Sequence, residues 1–473
     1  MKRICLVLMA LTPLAGCASA GKVRPADASV PAAFEAPADA QAGAASLDRW
    51  WMLYGDAELQ RLVEQALVNA PDARTAAARL EEARAQRRAN RMGAWPTGAL
   101  TGAAQTSDSE VLSGDLLNFP GFSNSGASQA YSLDFDVSWE LDLFGRVRQG
   151  RRIIDQDFAA TRFDVEGARA SLAANVADSL FSVRGLAIQL ADAQETARIR
   201  REMADITRQR ADRGLSAKSD ADRTAADLAQ ADAATTQLQA ELQAARRQLL
   251  LLIGEGASPL ATLQVAAAPP GAAPVPPATV PGELLARRPD VREAEARVMQ
   301  ALAQYRVDQL ALFPKFTLRP GVGLQKSDQP SFTSTTFNWS AGVGVSVPVL
   351  DRPRLAQLIK VSGARAEQAV IGYERAVQTA YAEAENALVQ LAADRNRVAL
   401  LTAGEARARS AFDASRTRYQ AGLEDLNTTL STEQSWRSAR SALTSAQVQA
   451  LRRSVQTFKA LGGGWTPPSE SAS

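Results

Sequence analysis

The 473-residue chain contains no histidine. That absence excludes imidazole acid–base catalysis, Ser-His-Asp triads and histidine-containing metal sites. Cysteine occurs only as Cys5 and Cys17, both near the N-terminus. Neither a structural disulfide nor a thiolate zinc site can therefore form in the body of the chain. Aromatic residues are scarce at 6%, although 46% of the chain is hydrophobic, mostly because of alanine. Alanine-rich, aromatic-poor chains make slender helices that approach closely, not bulky globular cores. Net charge is also small, at +2, and Lys2 and Arg3 lie in a removable leader. A mature chain so close to neutral does not suit nucleic-acid binding, which normally needs a basic face. No nucleophile motif or glycine-rich phosphate loop occurs in a strand–turn–helix setting, so an enzyme is not expected, nor any cofactor or metal.

The first residues read as an export signal. Met1-Lys2-Arg3 is a short basic start, and Ile4 to Leu14 is apolar apart from Thr12 and Pro13. That run is too short for a permanent membrane-spanning helix. It closes on Leu14-Ala15-Gly16-Cys17, which resembles a bacterial lipoprotein signal. The resemblance implies cleavage after Gly16 and acylation of Cys17. The alternative is an ordinary secretory leader cut near Ala18 or Ala20. In enteric bacteria Ala18, where an aspartate would retain the protein, implies sorting to the outer membrane. No later segment reads as a transmembrane helix.

Residues 18–45 are rich in Ala, Pro and Asp without periodicity, and read as an extended tether. A second Pro/Ala stretch, Ala266 to Gly282, divides the remainder into similar halves. The halves repeat. Asn69-Ala70-Pro71-Asp72-Ala73-Arg74 matches Arg287-Arg288-Pro289-Asp290-Val291-Arg292, an interval of 218. At the same interval Arg79 meets Arg297, Gln86 meets Gln304, and Trp95-Pro96 meets Phe313-Pro314. Further on, Arg213-Gly214-Leu215 corresponds to Ala421-Gly422-Leu423, and Ile253-Gly254 to Leu461-Gly462. The expected division is a signal peptide at 1–16, a lipid-anchored tether at 17–45, a first repeat at 46–263, a linker at 264–282, a second repeat at 283–462 and a tail at 463–473. Each repeat is expected to run short helix, strand, loop, strand, long helix, tight turn, helix.

The helices carry a coiled-coil period. Leu228, Ala231, Thr235, Leu238, Leu242, Ala245, Leu249 and Leu252 alternate steps of three and four. Val370, Val377, Ala384, Leu391 and Val398 recur every seven residues. Tyr373, Ala380, Ala387 and Leu401 fall on the interleaved position, with Asp394 interrupting. Such spacing favours left-handed supercoiling with closely packed seams, though an ordinary amphipathic bundle gives a similar pattern. Apart from Pro353 near its start, no proline breaks 145–212 or 352–420. These are the predicted long helices, each a rod of roughly 100 Å. Helices are also expected near 71–94 and over 216–254 and 424–461.

Strands alternate just as clearly. Tyr131, Leu133, Phe135, Val137, Trp139, Leu141 and Leu143 interleave with Ser132, Asp134, Asp136, Ser138, Glu140 and Asp142. Phe337, Trp339, Ala341, Val343, Val345 and Val347 interleave with Asn338, Ser340, Gly342, Gly344 and Ser346. Lengths of about 9–11 residues, apolar toward lipid and polar toward a lumen, suit a transmembrane β-barrel. Trp139 and Trp339 are expected near a membrane interface. Strands are expected over about 98–106, 130–143, 316–326 and 336–347, with outside loops at 107–129 and 327–335. Gly321-Val322-Gly323 reads as small lumen-facing or close-packed residues. Pro320 is a blemish within its strand, since it cannot donate to the ladder. Four strands cannot close a barrel, and open edges are not tolerated in lipid. Two, three or four chains would supply eight, twelve or sixteen strands.

Several motifs together identify a family resemblance. Trp50-Trp51 with Asp56-Ala57-Glu58-Leu59, Leu284-Leu285-Ala286-Arg287-Arg288-Pro289-Asp290-Val291, Phe313-Pro314 and Leu141-Asp142-Leu143-Phe144-Gly145-Arg146 resemble the TolC-like outer-membrane factor family. The lipoprotein branch that serves resistance–nodulation–division (RND) efflux pumps, the NodT type, is the narrower match. The resemblance implies a mainly α fold with membrane β structure: a homotrimer with one twelve-stranded barrel and a helical tunnel in the periplasm. It implies an exit duct for drugs or other small molecules, working with a periplasmic adaptor and an inner-membrane RND pump. A type I protein secretion channel is the alternative with the same fold. Adaptor docking would fall on the turns Arg213, Gly214, Leu215 and Ser216 and Ala421, Gly422 and Leu423. A periplasmic gate would use Glu424 and Asp425, with Tyr419, Arg210 and Arg418 as tethers. The family often places aspartates six and nine residues beyond the turn glycine, where this chain has Thr428 and Ser431.

Overall fold

The computed structural model describes residues 23–36, 47–110, 126–263, 265, 271–277, 281–329, 332–421 and 423–464. Cys17 and Gly422 lie outside them, as do parts of both expected outer loops. The described elements, in order, are α1 (Ala57–Asn69), α2 (Pro71–Met92), β1 (Thr97–Ser109), β2 (Gly126–Leu141), α3 (Arg146–Asp212), α4 (Lys218–Leu252), α5 (Pro281–Arg287), α6 (Pro289–Leu310), β3 (Lys315–Gln329), β4 (Phe332–Ser346), α7 (Arg352–Gln420) and α8 (Leu426–Ala460). A 3₁₀ turn at Leu47–Tyr54 precedes them. The chain forms two compact units: one takes residues 1–26, 82–160 and 294–373, and the other 27–81, 161–293 and 374–473. Each unit thus draws a segment from both halves of the chain. Among the described residues no helix is long and apolar enough to cross a membrane.

The first unit holds a four-stranded antiparallel sheet in the order β1-β2-β3-β4. Its strands are longer than the alternating segments alone indicate. Thr333, Thr335 and Thr336 extend β4 back to Phe332, because β-branched polar residues pair as well as apolar ones at a strand's wet end. Trp339 consequently sits midway along β4 and not near its end, whereas Trp139 lies two residues before the end of β2. Pro320 has the expected effect: the β2–β3 pairing breaks between Asp136↔Gly321 and Trp139↔Leu318 and then resumes in the same register. Where β2 gives way to α3, Asp142 caps the helix, accepting from the backbone N–H groups of Val147 and Arg148 at 2.9 Å each. Arg87 and Arg91 clamp Asp155 of α3 at 2.9 and 2.7 Å, tying α2 to α3.

The second unit is helical. Its core gathers Trp50, Leu59, Leu62, Leu180, Leu249, Ile253, Phe458 and Leu461, with the Trp50 ring stacked 5.7 Å from Phe458. Every predicted seam residue of α4 is buried or half-buried, and so are those of α7. Asp394, which breaks the α7 pattern, is answered by Arg453 of α8 at 3.5 Å. The repeated motif starts α6 as it starts α2, with proline at the first helical position, where its missing N–H is not needed. Arg288 folds back onto Asp290 at 2.7 and 3.0 Å, reaches Glu383 at 2.7 Å, and donates to the Ala460 carbonyl at 3.1 Å.

Asp56 caps α1, accepting from the N–H groups of Glu58 and Leu59 at 3.0 and 3.1 Å, and pairs with Arg184 of α3, which also holds Glu58 at 2.7 Å. Burial alone would raise the Asp56 carboxyl, but the Arg184 hydrogen bond and charge and the two backbone donors outweigh it and hold the group below its ordinary value. A carboxyl depressed by folding stabilises above its unfolded pKa, about 3.9, and that contribution fades as pH falls through the folded value. Asp56→Ala is expected to cost about 1–2 kcal/mol at neutral pH. Far-UV circular dichroism melts should show the gap between wild type and variant narrowing below about pH 4. A gap that does not change with pH would refute this role.

Candidate channel wall, helical tips and gate

On one face the register of the sheet aligns residues into rows, two across all four strands and a third across β2, β3 and β4. Leu100, Phe135, Val322 and Trp339 form one row; Gly102, Leu133, Leu324 and Phe337 the next; Trp139, Leu318 and Val343 a third. The opposite face carries Thr101, Asp134, Gly323 and Asn338, then Ala99, Asp136, Gly321 and Ser340, with Gly342 beside Arg319. The apolar face is bare: Trp339 is 74% exposed and Leu100 67%. A continuous exposed apolar face on one side and carboxylates on the other suit lipid outside and water inside. The glycines of β3 make room for those carboxylates. A Cβ on Gly321 would lie 2.8 Å from Asp136 Oδ1, and one on Gly323 would collide with Asp134 and Asn338. Sequence alternation located Asp134 and Asp136 on this face; Arg319 escaped it, because Pro320 obscures the local pattern.

The tips belong to the helical unit. Gly214 takes a positive φ of 71°, the left-handed conformation that lets α3 end in a tight turn. Its N–H donates to the Ala211 carbonyl at 2.9 Å and that of Leu215 to Arg210 at 2.8 Å, the paired bonds of a Schellman cap. In the second half Leu423 N–H donates to the Arg418 carbonyl at 2.9 Å, the matching bond. Both caps leave their leucine outside: Leu215 is 72% exposed and Leu423 79%. Arg213 and Ala421 are exposed as well, and Ser216 is half-buried. Behind each tip a buried hydroxyl pair joins the outgoing and returning helices, Thr207 with Thr224 at 2.6 Å and Ser415 with Thr429 at 3.4 Å. The coiled-coil pattern misses these pairs, since it treats threonine and serine as seam fillers.

Tyr419, Arg418, Glu424 and Asp425 sit at the second tip, whereas Arg210 lies in the last turn of α3, at the first. Asp425 is the N-cap of α8, accepting from Thr428 N–H at 3.0 Å and from the Thr428 hydroxyl at 2.7 Å. These hydrogen bonds hold its carboxyl below the ordinary value. α8 therefore begins after Glu424 and Asp425, and Thr428 serves the cap. Among the described residues no side-chain hydrogen bond or ion pair joins Glu424 or Asp425 to Arg210, Arg418 or Tyr419. Glu424 Oε2 has no partner.

Sequence reasoning also missed the docking of residues 23–36, for want of periodicity; Phe34, the single aromatic there, was the available signal. In the sheet-bearing unit Arg24 binds Glu367 of α7 at 2.6 Å. In the helical unit Phe34 stacks on Tyr381 at 5.9 Å, and the N–H groups of Asp27 and Glu35 donate to Glu374 and Glu385.

The family model described as Outer membrane efflux protein matches residues 62–255 and 280–463. The two matched segments begin 218 residues apart, 280 less 62, the interval that relates the halves. The pyoverdine export outer membrane protein OpmQ of Pseudomonas putida is 30% identical over 446 residues, covering 92% of each chain. The cation efflux system protein CusC of Escherichia coli is 28% identical over 431 residues, 88% of each chain. The solved outer-membrane channel OprN superposes with a TM-score of 0.80 at 30% identity, covering 94% of this chain and 100% of that one. The fold, with one four-stranded sheet per chain, is that of the trimeric outer-membrane efflux channels. The chain belongs to the outer membrane efflux protein family and is an outer-membrane exit channel.

Proposed function

We propose that three copies of the chain form a lipid-anchored duct that passes small molecules from an inner-membrane RND pump, through a periplasmic adaptor, to the outside. The observation that carries this reading is the sheet: two-faced, with β1 and β4 left as open edges. Unpaired edges cannot rest in hydrocarbon, so neighbouring copies must supply the missing partners. Three chains give twelve strands, enough for a wall around a channel. The duct is a conduit, not a catalyst. Acylation of Cys17 anchors it, and the exposed leucines of the two turns, with Arg213, Gly214, Ser216, Ala421 and Gly422, receive the adaptor. The relatives named for pyoverdine export and cation efflux support a small, soluble cargo. The periplasmic end closes near the second turn. With Asp425 committed to capping α8, Glu424 is the carboxylate left to meet its symmetry copies, and Arg210, Arg418 and Tyr419 are the candidate tethers. Three like charges in a ring repel one another and attract cations.

Planar-bilayer recordings test this reading. The wild-type trimer should show small conductance that divalent cations on the periplasmic side reduce further. Arg418→Ser and Tyr419→Phe should open it, and Glu424→Ala should lose the cation block. Large steady conductance, insensitive to cations and unaltered in all three variants, would refute a gate here. No conductance in any variant would refute the duct.

A further inference from the structure

We propose that the apolar cleft beneath the sheet is the seat of an acyl chain carried by Cys17; this rests on the reading of Cys17 as a lipidated residue. The cleft has a volume of about 860 Å³ and is lined by Leu302, Tyr305, Leu312, Phe313, Ile359 and Phe144. It lies where strands give way to helices, since Leu312 and Phe313 lead into β3 and Phe144 leads out of β2. The Phe144 and Phe313 rings meet at 5.2 Å, closing one wall. Such a volume and lining suit a flexible hydrocarbon ligand.

The N-terminal segment points to that occupant. Val23 packs against the cluster of Tyr305, Ile359 and Ala366, together with Leu302 and Leu312. Four of those residues also line the cleft. Arg24 fixes the position through its 2.6 Å ion pair with Glu367. Successive residues of the segment meet successive residues of α7: Arg24 meets Glu367, Asp27 meets Glu374, and Glu35 meets Glu385. The segment therefore runs in the direction of α7, and its N-terminal side leads toward the start of that helix, just after β4. Cys17 lies six residues before Val23, a reach of at most about 20 Å. A chain tethered so closely has a high effective concentration at the cleft. The polar part of the lining, Arg148, Gln149, Arg306 and Gln309, supplies donors for the ester or amide carbonyls of the lipid head. Acylation would then complete the packing at the strand–helix junction as well as hold the protein to the membrane.

Cells supplied with a palmitate analogue bearing a diazirine and a terminal alkyne would yield protein for photocrosslinking. Intact mass spectrometry first establishes whether Cys17 is acylated. An unmodified terminus would sink the lipid reading and this proposal with it. With Cys17 acylated, irradiation should join its chain to peptides containing residues 302–313 or Ile359. Ile359→Trp, which fills the cleft, should abolish that crosslink while the acylated mass persists. Acylated Cys17 whose chain crosslinks only to membrane lipid would overturn the seat and leave acylation standing. Phospholipid adducts on residues 302–313 would do the same and assign the cleft to a different lipid. The wild-type crosslink decides the matter even if the tryptophan variant fails to fold.

Discussion

Replacing Leu215 and Leu423 together by aspartate is expected to abolish export while the trimer and its barrel remain intact. Each leucine is over 70% exposed, so neither is packed into the hydrophobic contact that often accompanies such a cap. The turn itself is held by backbone bonds and, behind it, by the Thr207–Thr224 and Ser415–Thr429 pairs. Polar replacement should therefore spare the helices. On the proposed docking, it removes an apolar anchor repeated six times around a trimer, and buried apolar anchors carry much of the energy of an interface. Susceptibility to an exported compound should rise to that of a strain lacking the channel, while the protein still runs as a trimer in detergent. Full export by this double variant would exclude docking at the turns. Loss of the trimer would reassign the leucines to assembly.

The second large effect concerns the two faces of the sheet. Val322 lies in the central apolar row with Leu100, Phe135 and Trp339, and Val343 in a row nearer the helices. An arginine on the lipid face costs about 2–4 kcal/mol at the bilayer midplane and less toward the interface. Val322→Arg should thus depress assembly strongly and Val343→Arg less. Ser138→Arg, on the opposite face, should leave assembly near normal. Heat-modifiable mobility of trimers extracted from the outer membrane reads all three. Equal tolerance at Val322 and Ser138 would defeat the assignment of faces.

These expectations draw on features that differ in how plainly the sequence displays them. The long helices were legible to within a residue or two, because an uninterrupted run without interior proline has few alternatives, and because seam residues such as Val370 and Leu391 recur at a fixed period. The faces of β2 were equally legible, since strict alternation admits one register. The wet ends of the strands were not. Thr333 to Thr336 and Ser107 to Ser109 are polar on both faces, so nothing in their pattern separates a strand from a loop; only pairing with a neighbour does. Asp425 illustrates a different limit. An acidic residue after a turn suits both a gate and a cap, and the deciding fact is the N–H of Thr428 pointing at its carboxylate. The docked segment around Phe34 was hidden because its partners lie some 350 residues away in the chain.

The unpaired edges of β1 and β4 also carry a genetic consequence. A chain that completes its wall only with its neighbours cannot be judged one copy at a time, and its stability is inseparable from the supply of partners. Where a defective allele is expressed equally with a normal one and the chains mix freely, only about one trimer in eight is wholly normal. A substitution that spares edge pairing but ruins the tips would then be dominant. One that prevents edge pairing, such as a proline inside β1, would remove its own product from the pool and be recessive. The inheritance pattern of a mutation thereby reports whether the affected residue acts before or after the three chains close their ring.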